Sequence, residues 1–414
     1  MSSTESEIEM KISFDMAALV QALDLVSIVV PKASGAAGYL FKVQDDRCYL
    51  YSRDNACVAR ASFPLRNSDG GGSFVYPAEY VGALKLLAST SDTCEIEATQ
   101  EDEKFTVRYH ASSGAKAERG SFDPRLLETC DQDLEEAVGD QVYHSGLLRE
   151  AISLARPFIS KADGADESLK GLQVLDATKP EYAKGDGCLY TSDGTRAFYF
   201  RCTALSSKSL EMHGQHLSQF INFLNRADTI TLKKGKHFTF AVDSQGNVFG
   251  WPKHTKGHGK FGYYSLASDQ YILTMPKVRI TTSLMHIRSE LDSKEEKIKV
   301  NFDPERRTLT FEVAAGSAKV EGIPILVAIK QAEPDQKPWT FGANINHFLE
   351  LVNATKGHEV ELRVRVLPAT GERRNDVAMF RTIESFNIDA SGKVVVESEG
   401  AFECQVTRFM PSKN

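Results

Sequence analysis

Along the chain, short runs in which apolar and polar residues alternate give way to stretches where apolar residues recur every three or four positions, and then to alternation again. Alternation places successive side chains on opposite faces of a strand, whereas the three-to-four spacing gathers them on one helix face. The first extended run, Lys11-Ile12-Ser13-Phe14, has counterparts beginning at Gln141 and at Tyr271, from 11 to 141 and from 141 to 271, a step of 130 residues each time. After them come the helical sets Leu19, Ala22, Leu23, Val26; Leu148, Ala151, Ile152, Ala155; and Ile280, Leu284, Ile287, the last interrupted by Ser283. A second series fits the same template at Tyr80, Ala83, Leu84, Leu87; at Leu217, Phe220, Ile221, Leu224; and at Ile345, Phe348, Leu349, Val352. Each set is followed by two or three alternating stretches. Cys94–Ala98 precedes Phe105–Tyr109 and Ile298–Phe302 precedes Leu309–Val313, while Asp45-Asp46, Asp243–Asn247 and Asp303-Pro304 supply hairpin turn residues.

The pattern predicts one unit, β-α-β-β-β, used six times. Two units make a domain of ordinary size, giving an α+β chain of three similar domains at 1–130, 139–266 and 270–414. The polar stretches Thr129–Gly139 and Ala267–Gln270 read as linkers, and Gly70–Gly72 and Gly164–Asp166 as loops inside domains. A helix with one apolar face must bury it on a sheet, so helices form one layer and strands another. Domains set around a circle would line the inside with helices and the outside with sheets, whose open edges would pair across the domain boundaries.

Composition narrows the function. Among 414 residues, 49 Lys and Arg stand against 56 Asp and Glu, a net charge of −7, which excludes a protein that coats nucleic acid with its whole surface and leaves room for a local basic one. The longest apolar stretch, Ala17–Val30, is broken by Gln21, Asp24 and Ser27, so a membrane span is not expected. The first ten residues hold Glu5, Glu7 and Glu9 and no basic residue, the wrong pattern for an export or transit signal, and a cytoplasmic protein is expected. The cysteines Cys48, Cys57, Cys94, Cys130, Cys188, Cys202 and Cys404 form no Cys-x-x-Cys pair and read as reduced core fillers.

Four stretches carry a family resemblance. They are Gly38–Val43 with Leu50–Asp54, Val75-Tyr76-Pro77-Ala78 opening a helix, Thr191-Ser192-Asp193-Gly194-Thr195-Arg196-Ala197, and Phe341–Ile345 running to Val352-Asn353-Ala354, with Phe409-Met410-Pro411 near the end. In this order the chain resembles the sliding clamp of bacterial replicative DNA polymerases, the β clamp, over essentially its full length. The third stretch is similar to that family's T-D-G-x-R-L motif. The resemblance implies a head-to-tail homodimeric ring around duplex DNA, sequence-independent DNA contact, a tethered DNA polymerase and loading by a separate ATPase, with no bond made or broken by the clamp. It implies a partner-peptide pocket at Leu169, Thr191, Gly194, Thr195, Arg196, Met410 and Pro411, and DNA-facing cations at Lys85, Arg149, Arg156, Arg226, Lys277, Arg279, Arg288 and Lys356. Lys277 and Arg288, eleven apart, return to nearly the same helix face. The family usually has a basic residue or His where Thr195 stands and ends Met-Pro-x-Arg-Leu, where this chain has Met410-Pro411-Ser412-Lys413-Asn414. Extra residues near 179–187, 253–260 and 368–375 add to the divergence, which suits a virus-encoded clamp working in a host cytoplasm.

Two other classes fit less well: a clamp-fold scaffold or transcription co-activator, and a hydrolase or nuclease. His254-x-x-x-His258 and His213-x-x-His216 lack a third ligand nearby, Asp186 and Asp193 sit in turn-like segments, and neither Gly-x-x-x-x-Gly-Lys-Ser/Thr nor Gly-x-Gly-x-x-Gly occurs. No metal, cofactor or enzymatic activity is expected.

Overall fold

The computed structural model describes residues 8–29, 38–54, 56–101, 104–122, 131–175, 187–194, 196–202, 210–254, 271–290, 297–315, 318–331, 338–355, 357–365, 376–382, 385–388, 394–397 and 403–409. The first repeat is β1 (Ile8–Asp15), α1 (Met16–Val26), β2 (Gly38–Gln44), β3 (Arg47–Arg53) and β4 (Val58–Pro64). A short β5 (Asn67–Asp69) precedes the second, β6 (Gly72–Pro77), α2 (Val81–Leu87), β7 (Thr93–Glu101), β8 (Lys104–Ala111) and β9 (Lys116–Phe122). After α3 (Asp131–Glu135) the third runs β10 (Val142–His144), α4 (Ser145–Ala155), β11 (Gly171–Leu175), β12 (Gly187–Ser192) and β13 (Arg196–Cys202). The fourth is β14 (Glu211–His213), α5 (Leu217–Leu224), β15 (Thr229–Lys234), β16 (Phe238–Asp243) and β17 (Val248–Pro252). The fifth is β18 (Tyr271–Pro276), α6 (Lys277–Glu290), β19 (Lys297–Asp303), β20 (Thr308–Ala315) and β21 (Ala318–Glu321), followed by β22 (Ile325–Leu326) and β23 (Ala328–Gln331). The sixth is β24 (Trp339–Asn344), α7 (Ile345–Ala354), β25 (Glu359–Arg365), β26 (Asp376–Thr382) and β29 (Glu403–Phe409), with the hairpin β27 (Ser385–Ile388) and β28 (Val394–Glu397) inserted before its last strand.

The expected β-α-β-β-β order therefore recurs six times, and repeats exchange their first strands in pairs. β1 leaves its own hairpins to pair with β7, and β6 pairs with β2; β10 pairs with β15 and β14 with β11; β18 pairs with β25 and β24 with β19. Contacts gather the chain into two compact units, one of Met1–Arg149 with Gln215–His254 and the other of Glu150–Gly214 with Thr255–Asn414. In the first, strands in the order β10-β15-β16-β17-β4-β3-β2-β6 form an eight-stranded sheet beside the five-stranded β5-β1-β7-β8-β9. In the second, β14-β11-β12-β13-β29-β26-β25-β18-β23 form a nine-stranded sheet beside a five-stranded one ordered β21-β20-β19-β24, with β22 on β20.

Helix faces follow the apolar spacing. Leu19, Ala22, Leu23 and Val26 of α1 and Leu148, Ala151, Ile152 and Ala155 of α4 are buried. Aromatic residues fill the space between helix and sheet, as where Phe220 of α5 meets Trp251 of β17 at 5.0 Å. Truncating such a ring to alanine typically costs about 3–5 kcal/mol. Ser283, the apparent interruption in α6, is fully buried, and its hydroxyl donates to the Ile323 carbonyl at 2.9 Å. In α2 the phase differs from the expectation: Val81 and Leu84 are buried and Ala83 is exposed, because a 3-10 turn at Ala78–Tyr80 precedes the helix and its tighter winding advances the register. Within Thr129–Gly139, Asp131–Glu135 is the helix α3; Ala267–Gln270 lies outside the described residues. Cys48, Cys57 and Cys94 are buried free thiols, and burial pushes the Cys94 thiol up to about 12, so all three are core fillers rather than nucleophiles.

Candidate functional site

The Thr191–Arg196 stretch forms the turn between β12 and β13. Its shape is fixed locally: the Asp193 amide donates to the Arg196 carbonyl (3.1 Å), the Arg196 amide donates to Asp193 Oδ1 (2.7 Å), and the Ser192 hydroxyl accepts from the Gly194 amide (3.1 Å). Gly194 has φ +92°, and a Cβ there would stand 3.4 Å from Leu169 Cδ1. Glycine thus serves the left-handed backbone, and Leu169 packs on it at ordinary contact distance. Thr191 is buried, its hydroxyl donating to the Gly171 carbonyl at 2.8 Å. Four expected pocket residues, Leu169, Thr191, Gly194 and Arg196, are thereby brought together; Thr195, Met410 and Pro411 lie outside the described residues.

Arg196 is the centre of this arrangement, and it is buried rather than presented to solvent, with a side chain only 7% exposed. Its guanidinium donates to Asp193 Oδ2 from Nε (2.8 Å), to the Pro157 carbonyl from Nη2 (3.1 Å) and to Glu350 Oε2 from Nη1. It also lies over the Phe158 ring, 5.1 Å from the centroid. Arginine suits this position because its planar fork meets a carboxylate, a carbonyl and a second carboxylate at once. Around it is an open groove of about 410 Å³, walled on one side by Pro157, Ile159 and Lys161 and on the other by Asn344, His347 and Glu350 of β24 and α7. The α7 wall is absent from the sequence expectation. Its one visible signal is Asn344, which caps α7 by accepting from the Asn346 and His347 amides and so fixes the helix end that faces the groove.

The first compact unit contains a second turn of the same design. Between β3 and β4 the Asp54 amide donates to the Cys57 carbonyl (3.0 Å), and the Cys57 amide donates to Asp54 Oδ1 (2.6 Å). The residue in the place of Arg196 is Cys57, whose sulfur lies 3.1 Å from His216 Nδ1, while Gln219 Nε2 of α5 donates to Asp54 Oδ2 at 3.0 Å. One turn is therefore clasped to α7 by an ion pair, and the other to α5 by the Gln219 bond to its carboxylate, with the Cys57–His216 contact beside it. Burial alone would raise the Asp54 carboxyl, but the amides of Cys57 and Ala56, the Gln219 side chain and His216 outweigh it and hold it below its ordinary value. A depressed carboxyl stabilises the fold fully above the unfolded value of about 3.9 and loses that contribution as pH falls through the folded value. The stability gap between the native chain and Asp54→Asn, measured by urea unfolding, is expected to be constant above about pH 5 and to shrink toward pH 3.

The expected DNA-facing cations fall into both units. In the first, Lys85 Nζ pairs with Asp24 (2.6 Å), Arg149 Nη1 donates to Asn225 Oδ1 (2.8 Å), and Arg226 is exposed beside Asn225. In the second, Arg156, Arg279 and Arg288 are exposed. Lys277 is engaged: its ammonium donates to the Thr355 and Asn353 carbonyls at 2.6 and 3.4 Å, where the C-terminal end of α7 favours a cation. Lys356 lies outside the described residues, as does His258. Among the described residues no group of three or more His, Cys, Asp or Glu could hold a metal ion, and no helix is long and apolar enough to cross a membrane.

The architecture is matched among solved structures. The chain is similar over 97% of its length to 99% of the DNA polymerase sliding clamp from Caulobacter crescentus, with a TM-score of 0.72 and 15% identity. The match to the sliding clamp from Pseudomonas aeruginosa with ligand covers the same shares at a TM-score of 0.72 and 14% identity. This is the sliding-clamp fold. A DnaN sliding clamp from Bartonella birtlesii bound to griselimycin shares that fold with the chain at a TM-score of 0.68 and 13% identity, again over 97% and 99%. No protein-family model and no curated protein sequence matches the chain.

Proposed function

We propose that the protein is a DNA sliding clamp, two chains joined head to tail in a ring that encloses duplex DNA and tethers a DNA polymerase in the cytoplasm. Each chain contributes three clamp domains, 1–130, 139–266 and 270–414, every domain a pair of strand-exchanging repeats. The observation that carries this reading is how the sheets of neighbouring repeats join. β4 meets β17 and β13 meets β29, the last strand of one repeat against the last strand of another in both cases. Two sheets remain at five strands, and each ends in the last strand of its repeat, β9 in one and β21 in the other. Applied to a second chain, the same rule pairs β9 with the partner's equivalent of β21, twice over, and closes the ring. Leu86 and Leu326, 74% and 75% exposed in those two repeats, supply apolar surface for the joint.

Inside such a ring Lys85, Arg149, Arg156, Arg226, Lys277, Arg279, Arg288 and Lys356 face the DNA. Enclosure rather than affinity holds the duplex, so weak phosphate contacts suffice and the acidic total is no obstacle. A peptide site at Leu169, Thr191, Gly194, Thr195 and Arg196, with Met410 and Pro411, next to the groove that Arg196 lines, takes a short apolar peptide of the polymerase or of the ATPase that loads the ring. The chain makes and breaks no bond. Light scattering over a range of concentrations tests the reading: the expected mass is that of two 45.8 kDa chains, and protein loaded on nicked circular DNA is released when the circle is cut. A single chain at every concentration, or equal retention on linear and circular DNA, overturns it.

A further inference from the structure

In the first compact unit two cavities run along the exposed side of α1, of about 560 and 400 Å³, and they share Asp24 and Arg226 in their walls, so they form one continuous groove. Its charge is opposite to that of the chain. Arg47 stands at one end, half-buried and braced by a bond from Nη2 to Ser62 Oγ at 2.8 Å. Arg226 stands in the middle, exposed, with no side-chain partner among the described residues. The one carboxylate lining the groove, Asp24, is already neutralised by Lys85 at 2.6 Å. Asp243, at the turn beside Gln245 and Asn247, spends both oxygens on that turn, accepting from the Gln245 and Asn247 amides and from Asn247 Nδ2. Asp45 and Asp46, just before Arg47, are exposed on their turn and do not line the groove.

The equivalent cleft of the second unit is built differently. Asn222 is the sixth residue of α5 and Glu350 the sixth of α7; Glu350 puts a carboxylate, paired with Arg196, into the wall of its groove, whereas Asn222 adds no charge to its own. What remains is two arginines among side-chain amides, with the one lining carboxylate, Asp24, paired to Lys85, a donor set that seats phosphodiester oxygens without reading base sequence. We propose that this groove seats the sugar–phosphate backbone of one DNA strand, Arg47 and Arg226 each holding a phosphate. The proposal rests on the clamp reading and adds to it a defined track, with Arg47 as a contact that the helix pattern does not select.

The test uses the full chain and a short fluorescein-labelled duplex whose open ends allow direct binding, with affinity read by anisotropy across a salt series. Arg47→Ala and Arg226→Ala are each expected to weaken binding on the order of three- to tenfold at low salt, and each to flatten the slope of log affinity against log salt by about 0.7–0.9. Arg47→Lys and Arg226→Lys, which keep the charge, retain most of the affinity, and circular dichroism establishes that all four variants fold. If Arg226→Ala has this effect and Arg47→Ala changes neither affinity nor slope, the groove is overturned while the clamp reading stands. If polyglutamate competes as well as DNA at equal charge, the groove is a seat for acidic peptides and the proposal fails. Failure of the unaltered chain to be retained on circular DNA removes the clamp reading and the groove with it.

Discussion

Arg196→Ala is expected to destabilise the second compact unit by about 3–5 kcal/mol, the usual cost of removing one partner from a buried charge network. The estimate rests mainly on Asp193, whose side chain is 13% exposed and would lose the guanidinium from Oδ2 while Oδ1 keeps the backbone amide of residue 196. Glu350 is 46% exposed, so water replaces its partner and it adds little. The Pro157 carbonyl loses a donor and Phe158 loses the cation above its ring. Arg196→Lys keeps the charge but offers no planar fork to three acceptors, and is expected to recover less than half of the loss. Urea unfolding followed by circular dichroism measures both variants. A loss under about 1 kcal/mol for alanine would mean that the guanidinium is not a structural clasp and is available to contact a partner directly. The expected result makes Arg196 a positioning residue, one that holds the α7 wall against the β12–β13 turn, so that peptide affinity and stability fall together.

The repeat was legible in the sequence because it is written in local terms. Six helices with one buried stripe, each followed by alternating strands, recur at a fixed step, and burial of Leu19, Leu148, Phe220 and Phe348 follows directly from spacing. The hairpin at Thr191–Arg196 was legible for the same reason, since Ser, Asp and Gly in that order define a turn by bonds within six residues. What the sequence hides is non-local. Arg196 and Glu350 are 154 residues apart, and Cys57 and His216 are 159 apart. No periodicity reports such pairs, so the sequence places Arg196 in a peptide pocket without its buried partners and reads His216 as half of a metal-like spacing. Lys277 is the same case, a cation on a helix face by pattern and a cap on another helix by contact. The α2 register failed for a different reason: a seven-residue helix has too few apolar positions to fix its phase once a 3-10 turn precedes it.

Asp133 shows how a segment that reads as a polar linker can be held as firmly as a core element, and its replacement carries the second large effect. The carboxylate is 7% exposed and accepts from three successive backbone amides at the turn between β15 and β16. Lys236 and His237 donate to Oδ1, and His237 and Phe238 donate to Oδ2 at 3.1 and 2.8 Å. Gly235 is required beside it, since a Cβ there would lie 2.7 Å from the carboxyl carbon. Asp133→Ala strands three amides that the sheet itself cannot satisfy. With charge-assisted bonds worth about 1.5–3 kcal/mol each and partial recovery by entering water, the expected loss is about 3–5 kcal/mol. Asp133→Asn is expected to cost nearly as much, because one of the two acceptor positions becomes an NH₂ group facing an amide N–H. Freeing the carboxylate also releases α3, so the exposed Glu135 and Glu136 become sites for a glutamate-specific protease in the variant and resist it in the native chain. Thermal unfolding and the rate of that cleavage are read on the same samples. Unchanged cleavage together with a stability loss below about 1 kcal/mol would mean that the turn holds its shape without the carboxylate, and that the segment between β9 and β10 is a linker in mechanics as well as in composition.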